Sequence, residues 1–192
     1  MNEAQSEIDK TVESRQTSRR GLLLGAGALA TAVGAGIGWW RNASALTSDG
    51  RAGEPFADFW EQRWDTPQGT TLRLQDFRGK PLLINFWATW CPPCIEELPL
   101  INAFFRQNQA NGWQVIGLAV DRPAAVQAFL KKMPLDFPVG LVGMTDGELG
   151  KKLGNPSGSL PFSVVVGAQG AVLHRKLGRL RSDDLSAWAQ LK

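Results

Sequence analysis

The chain of 192 residues holds two cysteines, Cys91 and Cys94, and only Pro92 and Pro93 stand between them. At that spacing one turn of helix brings two sulfurs into bonding range. Other uses of so few cysteines are poor. A single close pair cannot staple a small secreted scaffold. A structural zinc takes four protein ligands, and the one histidine, His174, leaves such a site short; no metal is expected. Redox exchange is the leading chemistry, ahead of a metal site or an inert disulfide.

The surroundings of the pair strengthen that reading. Residues 80–87 (KPLLINFW) form a continuous apolar run of strand length, the pattern of a strand covered on both faces. From Cys91 to about Asn108, the apolar residues Leu98, Ile101, Phe104 and Phe105 recur at helical spacing. The motif Trp90-Cys91-Pro92-Pro93-Cys94 therefore sits between a buried strand and a long helix. Cys91 falls at the helix N-terminus, where free N–H groups and the positive end of the dipole stabilise a thiolate. Prolines are tolerated in that first turn. Cys94, one turn in, is expected to be less exposed and less acidic. The pattern describes an exposed nucleophile with a buried resolving thiol behind it.

The elements that must hold this pair alternate between strand and helix. Residues 60–64 and 70–74 flank Pro67-Gln68-Gly69, a hairpin signal. A second buried-strand run covers 113–120, after the break at Gly112. Pro123 opens a helix over about 124–132, a less regular stretch fills 134–142, and a short helix is predicted over 147–153. Residues 162–166 and 171–177 read as antiparallel strands joined by a short Gly-containing turn. A last helix is predicted over 183–191, with Ser182 as N-cap. This order gives an α/β fold, a mixed central sheet with helices on both faces.

A hydrophobic fraction of 43% and a charged fraction of 20% belong to a globular protein. The net charge of +3 is spread along the chain, apart from Arg175, Lys176, Arg179 and Arg181. No nucleic-acid motif accompanies it, and a nucleic-acid partner is not expected. His174 reads as a surface residue, and nothing suggests more than a monomer.

The N-terminal part differs in kind. Gly21 to Trp40 run without a charge, preceded by Arg19-Arg20 and followed by Ala43-Ser44-Ala45, which has the small-x-small form of a cleavage site. Twenty helical residues span about 30 Å of hydrocarbon. The segment Ser18-Arg19-Arg20-Gly21-Leu22-Leu23 resembles a twin-arginine export signal. Residues 1–45 are therefore expected to be an export signal or membrane anchor, 46–55 a linker and 56–192 the folded domain. Arginines ahead of the span favour a cytoplasmic N-terminus. The folded part would then lie on the periplasmic side of a bacterial inner membrane, released after cleavage near Ala45 or anchored by residues 21–40.

The run from Asn85 to Cys94 (NFWATWCPPC), continued by Glu96-Glu97-Leu98-Pro99, resembles the TlpA/ResA-like branch of the thioredoxin superfamily. Gly79-Lys80-Pro81, Phe137-Pro138-Val139 and Leu160-Pro161-Phe162 add to the resemblance, which covers roughly residues 53–192. It implies a thioredoxin fold with an N-terminal hairpin extension and a central insertion, and a thiol–disulfide oxidoreductase with Cys91 and Cys94 as catalytic residues. It also implies that Pro161 is the cis-proline opposite the cysteines, with Leu160 presenting backbone to an extended substrate chain. Trp90, Pro92 and Pro93 complete the expected substrate-facing surface. The implied partners are protein thiols and disulfides and a membrane thiol carrier that donates electrons. No cofactor beyond the dithiol is implied. Reduction of disulfides in exported proteins, as in cytochrome c maturation, is the first reading; a disulfide-forming oxidase is the alternative, and a thiol peroxidase a more distant one.

One departure from thioredoxin matters. Asn85 stands where thioredoxin has a buried Asp, and an amide cannot exchange a proton. Asp121 and Glu97 are the candidates for a proton relay to Cys94, weighed against a solvated surface position for either.

Overall fold

The computed structural model describes residues 55–143 and 148–191. The expectations placed on the N-terminal signal or anchor, and on nearly all of the linker, lie outside the described residues.

Seven strands form one mixed sheet in the order β2-β1-β5-β4-β3-β6-β7. In chain order they are β1 (Arg63–Asp65), β2 (Thr71–Arg73), β3 (Leu82–Trp87), β4 (Gln114–Ala119), β5 (Val139–Leu141), β6 (Phe162–Val166) and β7 (Val172–Leu177). Among the described residues there are four α-helices: α1 (Pro92–Asn108), α2 (Pro123–Lys132), α3 (Glu148–Lys152) and α4 (Ser182–Trp188). β3 lies at the centre, parallel to β4 and antiparallel to β6. All six of its residues are buried, which is why, Asn85 apart, it reads as an apolar run rather than an alternating one.

Strand alternation divides the core into two layers. Leu83 and Trp87 of β3, Val115 and Ala119 of β4 and Val165 of β6 pack under α1, α2 and α4, meeting Leu98, Ile101, Val126, Leu185 and Trp188. The intervening residues Leu82, Ile84, Phe86, Ile116, Leu118, Phe162 and Val164 face the opposite layer. That layer is built from Phe59, Trp60, Leu74, Phe77, Leu149 and Leu153, carried on short 3-10 turns and on and just after α3. Helices thus cover both faces, the long ones on the face that carries the cysteines.

Two expectations are corrected. The stretch assigned as irregular contains β5, which pairs with β4 on one side and β1 on the other. Three residues are too few to show a period, and Gly140 hides the strand character. The glycine sits in a tight place: a Cβ there would stand 3.1–3.2 Å from Leu118, Leu72 and Trp64. Ser182 is not the cap of the last helix. Arg181 holds the extended cap conformation, and Ser182 is the first helical residue. The cap is closed from inside the helix, because the Arg181 N–H donates to Asp184 Oδ2 at 2.7 Å. Elsewhere the agreement is close; the β1–β2 hairpin pairs Arg63 with Arg73 and Asp65 with Thr71 around the predicted turn.

Candidate active site around the Cys91–Cys94 disulfide

Cys91 and Cys94 are joined by a disulfide with Cα atoms 5.3 Å apart. Three residues carry the chain from the end of β3 at Trp87 to Cys91, and a turn closed by Cys91 N–H to the Ala88 carbonyl (3.2 Å) leads it into α1. Cys91 is the N-cap of α1, in an extended conformation, with Pro92 and Pro93 as the first two helical residues. Cys94 is fully buried and Cys91 is 5% exposed, while Trp90 beside it is 58% exposed. The sequence order of accessibility, Cys91 over Cys94, holds, but in the disulfide form Cys91 shows only an edge.

The expected supply of free N–H groups at this helix start is smaller than the sequence reading assumed. An N-cap side chain ordinarily accepts from the N–H of the second or third helical residue. The second here is Pro93, which has none. The third is Cys94, whose N–H donates to the Cys91 carbonyl at 3.1 Å, and Ile95 N–H reaches the same oxygen at 3.2 Å. The thiolate form of Cys91 is left with the helix dipole and few direct donors.

Pro161 follows a cis peptide bond from Leu160. The register pairs Phe162 with Phe86, so this proline lies at the same end of the sheet as the chain leading to Cys91. Pro161 is buried and Leu160 half-buried. Gly178 N–H donates to the Pro161 carbonyl at 2.8 Å, fixing the connector after β7 alongside. Trp90, Cys91, Pro92, Pro93, Leu160 and Pro161 are therefore gathered at one end of the sheet. A concavity of about 590 Å³, lined by Lys80, Pro81 and Trp113 among others, lies at the opposite end, where β3 and β4 begin. Only the edge of Cys91 reaches the surface there, beside the exposed ring of Trp90.

The solvated position weighed for Glu97 and Asp121 is overturned. Both are buried, at 1% and 3% exposure. Glu97 lies one turn beyond Cys94 on α1. Its Oε1 accepts from Asn85 Nδ2 at 2.7 Å and its Oε2 from the Leu180 N–H at 2.6 Å. Burial holds its carboxyl above the usual Glu value, partly opposed by those two hydrogen bonds and by the charges of Arg179 and Lys176. Asp121 is held the other way. Burial pushes its carboxyl up, but hydrogen bonds from the Thr89 hydroxyl (2.6 Å), Thr89 N–H (2.8 Å) and Arg122 N–H (2.7 Å) outweigh it, and the net shift is downward. Two carboxylates that look alike in the sequence are thus shifted in opposite directions.

Ser163 was not singled out by its sequence. It is fully buried on β6 and accepts from Asn85 Nδ2 at 3.0 Å. The available signal was one hydroxyl within the apolar run Phe-Ser-Val-Val-Val. His174 lies exposed on β7, stacked on Trp188 with ring centroids 6.1 Å apart. Among the described residues no group of three or more His, Cys, Asp or Glu gathers where a metal could sit.

Residues 51–191 match the Redoxin family model. The chain is 33% identical over 125 residues to the thiol-disulfide oxidoreductase ResA of Bacillus cereus, covering 64% of this chain and 69% of that protein. ResA of Bacillus anthracis is 30% identical over 124 residues, covering 63% and 68%. Among solved structures, MTB dsbF in its mixed oxidized and reduced forms aligns with a TM-score of 0.59 at 26% identity, over 68% of this chain and 93% of that one. A putative thiol:disulfide interchange protein DsbE from Chlorobium tepidum aligns with a TM-score of 0.57 at 26% identity, over 67% and 88%.

Proposed function

We propose, for a chain that belongs to the Redoxin family and within it to the TlpA/ResA-like thiol–disulfide oxidoreductases, that the Cys91–Cys94 couple works as a reductant of disulfides in exported proteins. The observation that carries the direction is the pair of prolines in the first turn of α1. A strongly oxidising couple owes its potential to a stabilised reduced form. Here Pro93 withholds the donor best placed for a Cys91 thiolate, so the reduced form gains less and gives up electrons more readily.

In the reaction, the Cys91 thiolate attacks one sulfur of a substrate disulfide and the other sulfur leaves as a thiolate. Cys94 then loses its proton and attacks Cys91 Sγ, releasing the second substrate sulfur and forming the disulfide observed between Cys91 and Cys94. Substrate gains two electrons and the cysteine pair loses two. A membrane thiol carrier restores the dithiol, and no cofactor is required. The substrate chain lies in extended form against Leu160 and Pro161, beside Trp90, Pro92 and Pro93. Glu97 serves as the proton relay to Cys94, because its raised affinity brings it toward the working pH. Asp121, kept ionised, is the positioning residue for Thr89 and hence for the turn into Cys91.

The domain is read as monomeric and as facing the periplasm, with residues 1–45 as signal or anchor and residues 46–55 as linker. Among the described residues no helix is long and apolar enough to cross a membrane.

The test is reduction of a disulfide-bonded protein by wild type, Cys91→Ser and Cys94→Ser, together with the equilibrium potential of the couple. Cys91→Ser should be inactive and Cys94→Ser should accumulate a mixed disulfide. A potential near that of thioredoxin, about −270 mV, supports the reductase; one near about −120 mV makes the protein a disulfide-forming oxidase.

A further inference from the structure

Among the described residues, the buried side-chain polar atoms without a hydrogen-bond partner are Asn85 Oδ1 and Trp87 Nε1. The first belongs to the amide that touches Glu97. Buried polar groups are nearly always paired, so an acceptor left bare beside an exchangeable proton calls for a reason. The neighbouring bonds supply one. Asn85 Nδ2 spends both its hydrogens, one on Glu97 Oε1 at 2.7 Å and one on Ser163 Oγ at 3.0 Å. That arrangement serves an ionised Glu97, which can only accept. Once Glu97 carries a proton on Oε1, an N–H facing an O–H is the wrong pairing.

We propose that Asn85 is a two-position amide switch, supported by Ser163, that turns its oxygen toward Glu97 when Glu97 takes the proton from Cys94. The proposal rests on the reading of Glu97 as relay and deepens it. Rotating the amide by half a turn puts Oδ1 where Nδ2 stood. It then accepts from the Glu97 O–H and from the Ser163 hydroxyl, which can donate as readily as it accepts. The atom left bare becomes Nδ2. An Asp at this position would take the proton itself; an Asn instead lets one geometry serve both states of a neighbouring acid.

In this step the Cys94 S–H proton passes to Glu97 Oε1, and Cys94 sulfur forms a bond to Cys91 Sγ. The bond from Cys91 to the substrate breaks, and its electron pair leaves on the substrate sulfur, which takes up a proton from solvent. Glu97 then returns its proton to solvent and the amide turns back. The other charged groups facing Glu97 are Arg179 and Lys176. Arg179 is paired with Glu96, and Lys176 donates to Asp184 at 2.6 Å. The Leu180 N–H holds Glu97 Oε2 in both forms.

The experiment follows the Asn85 side-chain amide by ¹⁵N NMR during titration of the oxidised full-length protein, with the Glu97 carboxyl carbon read in parallel. The rate of mixed-disulfide resolution is measured against pH in wild type, Glu97→Gln, Asn85→Ala and Ser163→Ala. The expected result is that the Asn85 amide titrates with the midpoint of Glu97 and stops titrating in Glu97→Gln. The rate midpoint should move up by about a unit in Asn85→Ala, which lacks the donor that favours ionised Glu97. An Asn85 amide that ignores Glu97, while Glu97→Gln still flattens the rate profile, overturns the switch and leaves the relay standing. A Glu97→Gln profile superimposable on wild type overturns the relay, and the switch with it. The wild-type titration needs no Asn85 variant to fold.

Discussion

Replacing Pro93 by alanine returns a backbone N–H to the second helical position of α1, where it faces the side chain of the N-cap residue, Cys91. A hydrogen bond to a charged acceptor contributes about 1.5–3 kcal/mol. At about 1.4 kcal/mol per pKa unit, the Cys91 thiol should become more acidic by roughly one to two units. The same energy stabilises the reduced form, and for a two-electron couple 1.4 kcal/mol corresponds to about 30 mV. The potential of Pro93→Ala should therefore be less negative by about 30–60 mV at a pH where Cys91 is ionised, and the difference should shrink in acid, where the reduced form is a thiol. Equilibration with glutathione or dithiothreitol buffers across pH, read by the fluorescence of the adjacent Trp90, measures both quantities. Pro92→Ala is the control: its N–H, at the first helical position, does not face the cap side chain, and the shift should be smaller. A Pro93→Ala potential equal to or more negative than wild type refutes the argument that missing donors set the direction of this couple.

Glu97 makes the stability of the oxidised protein depend on pH. Its folded carboxyl is raised above the unfolded value, chiefly by burial, so the folded state keeps its proton longer and stability falls as pH rises from the ordinary Glu value through the raised one. Glu97→Gln should level the urea midpoint over that window; a wild-type midpoint that climbs there would contradict the sign. Asp121 has the opposite sense, since its folded carboxyl is lowered: its contribution is present above the ordinary Asp value and lost as pH falls through the depressed one. Asp121→Ala strands the buried end of the Thr89 turn and should cost about 1–3 kcal/mol by urea denaturation at neutral pH, with a change in Trp90 emission. Gly117→Ala would place a Cβ 3.0 Å from both Phe137 Cε2 and Trp87 Nε1; the overpacking should destabilise by about 1–3 kcal/mol, and a neutral urea midpoint would show that Phe137 can yield.

The central elements were legible because their signals are strong and local. Five apolar residues broken only by Asn85 define β3, and helical spacing of Leu98, Ile101 and Phe104 defines the buried stripe of α1. β5 was not legible, because Val-Gly-Leu has no period; it is a strand only through β4 and β1 on either side. The start of α4 was misplaced for a related reason. Ser182 has the right side chain for a cap, but Asp184 reaches back to Arg181 and moves the helix one residue toward the N-terminus.

The sequence by itself determined the chemistry: two thiols at helical spacing between a buried strand and a helix, with proline at both intervening positions. It also determined that Asn85 could not be the acid. Only the tertiary structure set the proton affinities of the two candidate acids apart. Glu97 and Asp121 have the same functional group and little exposed surface, but the Glu97 carboxyl lies deeper in the protein, and the two also differ in the hydrogen bonds that reach them. Asp121 receives three, from Thr89 and Arg122 close by in the fold. Glu97 receives two, one from Leu180, 83 positions along the chain, and one from Asn85, which is also tied to Ser163, 78 positions on. Proton affinity depends on the sum of such distant donors against the cost of burial, and folding alone assembles that sum.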